Sequence, residues 1–514
     1  MTTSTSLRTS PLTWLRTVCA ALLVGALVVA FPGMASAAQG RWHHVQDMGT
    51  PRVAHTLTTL QDGRVLAVGG VTKGYAPLNT ELYDPTTELW APARSIGDAR
   101  SFHTATLLPS GKVLIAGGGD KGLANGALDS AKLYNPKTNQ WTSTPHMVVA
   151  HQWQTATLLK NGKVLLAGGQ TTGGSPTVST ELYDPAANSW TATGNLHEGR
   201  YAHTATLLNN GKVLVVGGLG LSGILSSAEI YDPATGVWTP AADMGPTKIR
   251  AAHVAALLPD GRVLVAGGVV PVGGKQTATN SVMIYNPTTN TWAVGPSLLT
   301  PRALFTATVL TDGSVFVSGG SPAGLSAGSG GGLETLRTAE VYRPKVNAWR
   351  ATPDMDDPKA IHAATLLHNG TVLVTGGLLA DDMSTGLNPL RSAEIYVPPG
   401  ALPLCNGKVP TIFGTWGDDV IVGTPGRDVI DGLGGDDIIK GRGGNDLICG
   451  GPGRDVLIGG NGDDSLYGGG GKDNIRGGAG DDVLYGGDRG GRLNGGKGVN
   501  SCHAATARTE ILNC

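Results

Sequence analysis

Between Ala38 and Leu404 the chain has no cysteine. That long stretch must hold together without disulfides, and it offers no thiolate to a metal or a covalent cofactor. Phenylalanine is scarce, at 5, and aromatics together make up 5% of the 514 residues. Charge of either sign is sparse and balanced, 38 Lys plus Arg against 39 Asp plus Glu. No bulk field therefore favours nucleic acid or a membrane surface. Beyond the first residues there is no second apolar run near the ~20 residues that would span a bilayer. Glycine is abundant instead, at 79, which suits many short strands and turns rather than helices.

Residues 1–37 read as a secretory signal peptide. Arg8 and Arg16 form a basic leader, Val18–Phe31 an apolar core, and Ala35-Ser36-Ala37 a small-residue cleavage pattern. The expectation is a secreted, extracellular protein, released or loosely held at the cell surface, with no membrane span in the mature chain.

The rest is organised around a repeated unit, clearest at Arg200–Met244. A strand ending at Leu208 meets a tight turn at Asn209-Asn210-Gly211, where Asn and Gly tolerate positive φ. A β-branched run, Lys212–Val216, closes on Gly217-Gly218; Ala228–Asp232 and Val237–Thr239 follow, joined through Asp232-Pro233. Four such strands cannot bury both faces alone, so copies must stack. The paired glycines recur at Gly69, Gly117, Gly168, Gly217, Gly267, Gly319 and Gly376, each followed by a Tyr and, in six copies, a Trp. This pattern over Arg41 to Pro399 resembles the Kelch repeat, a β-propeller blade. The last copy lacks its Trp strand, while Arg41–Met48 supplies a spare with the right Trp-to-Met spacing. The fold class expected is all-β: a seven-bladed propeller closed by an N-terminal strand, which removes both open edges.

Each copy opens with a basic residue three positions before a slot that is usually His. Six are Arg52, Arg100, Arg200, Arg250, Arg302 and Lys359, with His151 in the third copy. The histidines read as structural, because Gln154 and Phe305 fill the same slot. Ring symmetry gathers the basic residues near one mouth of the central channel. Kelch adaptors hold acidic partners with arginines there, so the resemblance implies a ligand-binding ring; alternatively, each bonds to a neighbouring blade's carbonyls. The long second-to-third connections, such as Ser321–Arg337 and Leu378–Arg391, share that face.

Composition shifts at Ala401, and from Gly414 a nine-residue beat begins: GTWGDDVIV, GTPGRDVID, GLGGDDIIK and five more. Gly stands at position four, Asp at six and an apolar residue at eight. This resembles the RTX nonapeptide of calcium-binding β-rolls, over Gly414 to Gly498. Two nonapeptides make one coil in that fold, which implies two ladders of stacked carboxylates. Asp419, Asp437, Asp455 and Asp473 stand on one side, and Asp428, Asp446, Asp464 and Asp482 on the other. Uncompensated, these would repel, so several Ca²⁺ ions are expected. The domains expected are 1–37 signal peptide, 38–400 propeller, 401–413 linker and lead-in strand, and 414–514 roll with a C-terminal cap.

The four remaining cysteines, Cys405, Cys449, Cys502 and Cys514, lie in that last region. Four allow three pairings; Cys405–Cys449 and Cys502–Cys514 are favoured, tying a lead-in strand to the roll and closing its cap.

Three functions compete. The first is a noncatalytic module recognising an extracellular or cell-surface glycan or protein. The second is a carbohydrate-active enzyme, since secreted Kelch propellers also resemble the galactose oxidase scaffold. Such oxidases need a Tyr–Cys thioether and Tyr/His copper ligands; the blades have no cysteine, and the chain has no Tyr-His dipeptide. The third is a calcium-stabilised cell-surface structural protein. No nucleic-acid partner is expected.

Overall fold

A computed structural model describes residues 40–72, 79–85, 87–120, 126–324, 333–379, 388–399, 405–406, 408, 410–414, 417–487, 489–504 and 508–514. The signal peptide expected over 1–37 and residues 401–404, 407 and 409 of the expected linker lie outside them. Among the described residues no helix is long and apolar enough to cross a membrane.

The N-terminal region forms seven four-stranded antiparallel sheets. The fourth shows the pattern: Thr204–Leu207, Val213–Val216, Ala228–Asp232 and Val237–Pro240, paired in sequence order. The second strand of every blade, for example Val213–Val216, is buried along its whole length. A β-branched, side-chain-dense strand is what a position between two neighbouring blades requires. Each repeat Tyr is fully buried and tilts against its Trp, as in Tyr231–Trp238 with ring centres 5.1 Å apart.

Ring closure comes from the N-terminus. Arg41–Val45 pairs antiparallel with Ala393–Val397, and Trp42 sits 5.3 Å from Tyr396 in the place of the missing seventh Trp. Two further hydrogen-bonded rings run round the disc. The second glycine of each pair donates its N–H to the carbonyl of the next blade's basic residue, from Gly70 to Arg100 (2.9 Å) round to Gly377 and Arg52 (2.8 Å). Both glycines hold positive φ, 63° and 101° at Gly69 and Gly70, which side-chain-bearing residues adopt only under strain. The other ring joins Ala54, Phe102, Trp153, Ala202, Ala252, Leu304 and Ile361. Each donates its N–H to the equivalent carbonyl one blade back, and Ala54 returns to Ile361 at 3.1 Å.

The C-terminal region coils into two parallel six-stranded sheets. Strands one coil apart pair with an 18-residue offset, as Ile439 with Leu457. Position eight of the nonapeptide makes the narrow core: Ile421, Ile430, Ile439, Ile448, Leu457, Leu466, Ile475, Leu484 and Leu493 form one column. Cys405 and Cys449 stand at disulfide distance with Cα atoms 5.6 Å apart, and Cys502 and Cys514 with Cα atoms 5.8 Å apart.

Candidate functional site

The aspartates of position six form the two ladders that an 18-residue coil demands. Asp437 Oδ1 accepts the backbone N–H of Asp419 at 2.9 Å, Asp455 that of Asp437, and Asp473 that of Asp455. Opposite, Asp446, Asp464 and Asp482 accept from Asp428, Asp446 and Asp464. Asn500 ends this ladder by accepting from Asp482 at 3.0 Å. One oxygen of each carboxylate is thus consumed by the fold.

The other oxygen is not. Oδ2 of Asp437, Asp446, Asp455, Asp464 and Asp482 is buried and, among the described residues, has no hydrogen-bond partner. Such orphans are costly and rare in native structures. Beside each lies a glycine and a carbonyl of the next coil. A Cβ on Gly450 would strike Asp455 Oδ2 and come 2.8 Å from the Gly468 carbonyl; one on Gly459 would meet Asp464 Oδ2 and the Gly477 carbonyl. Glycine at position one leaves this oxygen-lined cradle open. Burial, then neighbouring ladder carboxylates, raises the acids: Asp446 to about 6, Asp437 and Asp464 to about 7, Asp455 to about 8. Among the described residues no three His, Cys, Asp or Glu side chains gather at one point. The donors on offer are therefore one carboxylate oxygen per position together with backbone carbonyls, a hard set that suits calcium rather than a transition metal. Asp419, at the open start of its ladder, is only half-buried.

The six basic residues of the propeller sit elsewhere than a ligand-binding ring requires. Arg52, Arg100, Arg200, Arg250, Arg302 and Lys359 are all fully buried. Each arginine bonds carbonyls of its own blade rather than a neighbour's: Arg200 Nη1 donates to Gly217 and Ser227, and Arg302 Nη1 to Gly319 and Thr338. Arg52, Arg200 and Arg302 also pair with Glu81, Glu229 and Glu340 at 2.6, 2.8 and 2.7 Å, and Lys359 with Glu394 at 2.6 Å. In the third blade His151 takes the same two partners, the Gly168 carbonyl and Glu181. These residues are internal ties, and no solvent-borne anion reaches them as placed.

The missed signal was legible. A Glu stands two residues before Tyr in five copies: Glu81, Glu181, Glu229, Glu340 and Glu394. The exceptions are Lys132 and Met283. Arg100 turns to Asp98 at 3.3 Å, sharing it with Lys132. For Arg250, among the described residues, no carboxylate is present, and burial alone lowers it to about 10. The channel histidines are structural ties between blades. Nε2 of His55, His103, His203 and His253 bonds a hydroxyl of Thr375, Thr56, Thr155 and Thr204 respectively. Burial and then the nearby Arg hold His55 and His203 down at about 3, so they are neutral.

The channel itself opens into a cavity of about 310 Å³. It is lined by the seven histidine-slot residues and by the seven residues of the second hydrogen-bonded ring. All seven ring residues are left-handed, with φ between 50° and 59°, including bulky Phe102, Trp153, Leu304 and Ile361. Each costs roughly 1–2 kcal/mol relative to an extended or right-handed backbone. No charged side chain lines the cavity.

Residues 123–378 match the Attractin/LZTR1 beta-propeller family. Residues 413–448 and 450–484 match the RTX calcium-binding nonapeptide repeat. No curated protein sequence matches the chain. Among solved structures it is similar to a fungal alcohol oxidase of the AA5 family in complex with copper. There the identity is 18%, the coverage 75% of this chain and 82% of that one, and the TM-score 0.58. A protein named YjhT aligns over 60% of this chain and 99% of its own at 16% identity, with a TM-score of 0.47, too slight a likeness to argue from. At such identities the likeness is one of fold. The chain joins a Kelch-type seven-bladed propeller, in a fold shared with that alcohol oxidase, to RTX calcium-binding nonapeptide repeats.

Proposed function

We propose that this is an exported, calcium-dependent recognition protein. The roll binds several Ca²⁺ ions, and the propeller is a noncatalytic disc for an extracellular or cell-surface glycan or protein. The observation that carries the calcium reading is the set of five buried Oδ2 atoms, of Asp437, Asp446, Asp455, Asp464 and Asp482, without partners among the described residues, each beside a glycine carbonyl. Asp437, Asp446, Asp455, Asp464, Asp473 and Asp482 supply the anionic oxygen, with Asp419 and Asp428 completing the ladders. Bound calcium neutralises the stacked carboxylates and satisfies the orphan oxygens, so metal binding and folding of the roll are one process. Cysteines at disulfide distance and the apolar leader both support export. Recognition rather than oxidation is favoured for the propeller, whose blades contain no cysteine for a Tyr–Cys cofactor.

The test is a calorimetric titration of the chelator-treated full chain with Ca²⁺, with hydrogen exchange followed in parallel. Binding of several ions, and protection gained over residues 414–500 alone, is expected. No heat and no change in exchange would overturn the calcium reading. Glycan arrays and cell-surface pull-downs, each with the calcium-loaded chain, test the recognition half separately.

A further inference from the structure

We infer that one flat face of the roll docks on an anionic lipid surface. In each strand of the roll the position-eight residue points into the core, so its two neighbours point outward. The strands Val420–Val422, Ile438–Gly443 and Val456–Asn461 lie side by side and in register. Their outward residues make two columns: Val420, Ile438 and Val456 in one, and Val422, Lys440 and Ile458 in the other. Val420 is 71% exposed, Val422 44% and Ile438 39%. The coil does not require aliphatic residues there. The next two strands of the same sheet put Asn474 and Arg492 in the first column and Arg476 and Asn494 in the second. The opposite sheet is covered where this one is open: Asp431 and Leu447 are each 6% exposed, Cys449 stands at disulfide distance from Cys405, and the Tyr467 hydroxyl accepts from Asn406 Nδ2 at 2.6 Å. Five β-branched aliphatic side chains gathered on the open face mark a contact surface.

The charges on that face choose the partner. Lys440 stands inside the aliphatic patch, Arg476 follows Ile458 in the same column, and Arg492 lies one strand beyond. Among the described residues of the two columns the carboxylate is Glu510, at the far end and 3.7 Å from Arg492. A second copy stacked on the patch would bury both Lys440 side chains in one interface, with no carboxylate of the patch to pair them. The patch also lacks the aromatic anchors that dominate protein hot spots. A bilayer surface suits both parts at once. Aliphatic side chains reach the acyl boundary and the Lys440 stem lies beside them, while its ammonium and the two guanidinium groups meet lipid phosphates.

The test floats the calcium-loaded full chain with vesicles of phosphatidylcholine alone and of equal parts phosphatidylcholine and phosphatidylglycerol. Two double variants accompany the parent, all at one calcium concentration. Val420→Thr with Ile438→Thr keeps the β-branch that the strands favour, and Lys440→Gln with Arg476→Gln removes two charges. The parent should float with the anionic vesicles and about ten-fold less with the neutral ones. The charge variant should lose about ten-fold in partition and the threonine variant about five-fold, with calorimetry returning the parent's number of bound ions. A parent that takes up calcium and floats with neither vesicle overturns this proposal and leaves the calcium reading standing. Equal flotation with both vesicles overturns the anionic class. Variants that float as the parent move the contact off this face and also overturn it. So does a parent dimer in light scattering that Val420→Thr with Ile438→Thr abolishes, because a second copy then covers the patch.

Discussion

The fifth blade lacks the carboxylate that four other blades give their buried cation, and restoring it is a sharp test of how the disc is tied. Met283 is 4% exposed and pairs across the sheet with Val265. Glu340 and Glu229 hold the same register opposite Val317 and Val215. In those blades the glutamate accepts from the arginine and from two backbone N–H groups leading into the blade, Leu299 and Thr300 or His197 and Glu198. In the fifth blade Lys248 N–H turns to the Gly245 carbonyl at 2.8 Å instead. Arg250 is already buried, so its desolvation cost is present in the parent. Met283→Glu adds a charge-assisted hydrogen bond of about 1.5–3 kcal/mol and must offset burial of the new carboxylate. The net expectation is about 1 kcal/mol of stabilisation. Glu340→Ala should act in the opposite direction by roughly 3–5 kcal/mol, since it strands Arg302 and two N–H groups. Denaturant unfolding of the full chain, followed by tryptophan fluorescence, reports the disc. Eight of the 10 tryptophans fall between Trp42 and Trp349, leaving only Trp14 and Trp416. Met283→Glu should raise the midpoint and Glu340→Ala lower it without changing the slope. If Met283→Glu destabilises as much as Glu340→Ala, the buried cation is satisfied by carbonyls alone and the tie is misread.

The roll gives a pH prediction. Asp437, Asp446, Asp455 and Asp464 hold values of about 7, 6, 8 and 7 when folded and metal-free, above an ordinary 3.8. The folded roll therefore binds protons more tightly than the unfolded one. Its metal-free stability is greatest below pH 4 and is lost as pH rises through 6–8. In chelator, residues 414–500 should exchange more slowly at pH 5 than at pH 8, and calcium should reverse that order; faster exchange at pH 5 in chelator would contradict it. Gly459→Ala fills the cradle between Asp464 Oδ2 and the Gly477 carbonyl, and calorimetry should show at least one ion fewer, with the propeller transition unmoved. Deleting Arg41–Val45 exposes the edge of Ala393–Val397; the propeller should melt lower and aggregate, and a parent-like melt would refute closure by that strand.

Much of this protein was written in its repeats. Di-glycine, Tyr and Trp at fixed offsets specified seven blades, and the orphan Trp42 strand specified how they close, because a period and a missing piece are visible in one dimension. The nonapeptide beat likewise gave both aspartate ladders, since an 18-residue coil brings each Asp to the next by counting alone. What counting could not give was direction across the disc. The arginines stand in the right place in sequence for a binding mouth, yet they turn inward. Their partner Glu lies 29–38 residues away on the third strand, and only folding decides that the two meet in a dry interior. The left-handed ring was hidden for a similar reason. Ala54, Phe102, Trp153 and Ile361 share no side-chain chemistry, so no pattern marks them. Their common backbone is imposed by hydrogen bonds from the blade before, which exist only once all seven blades surround the channel.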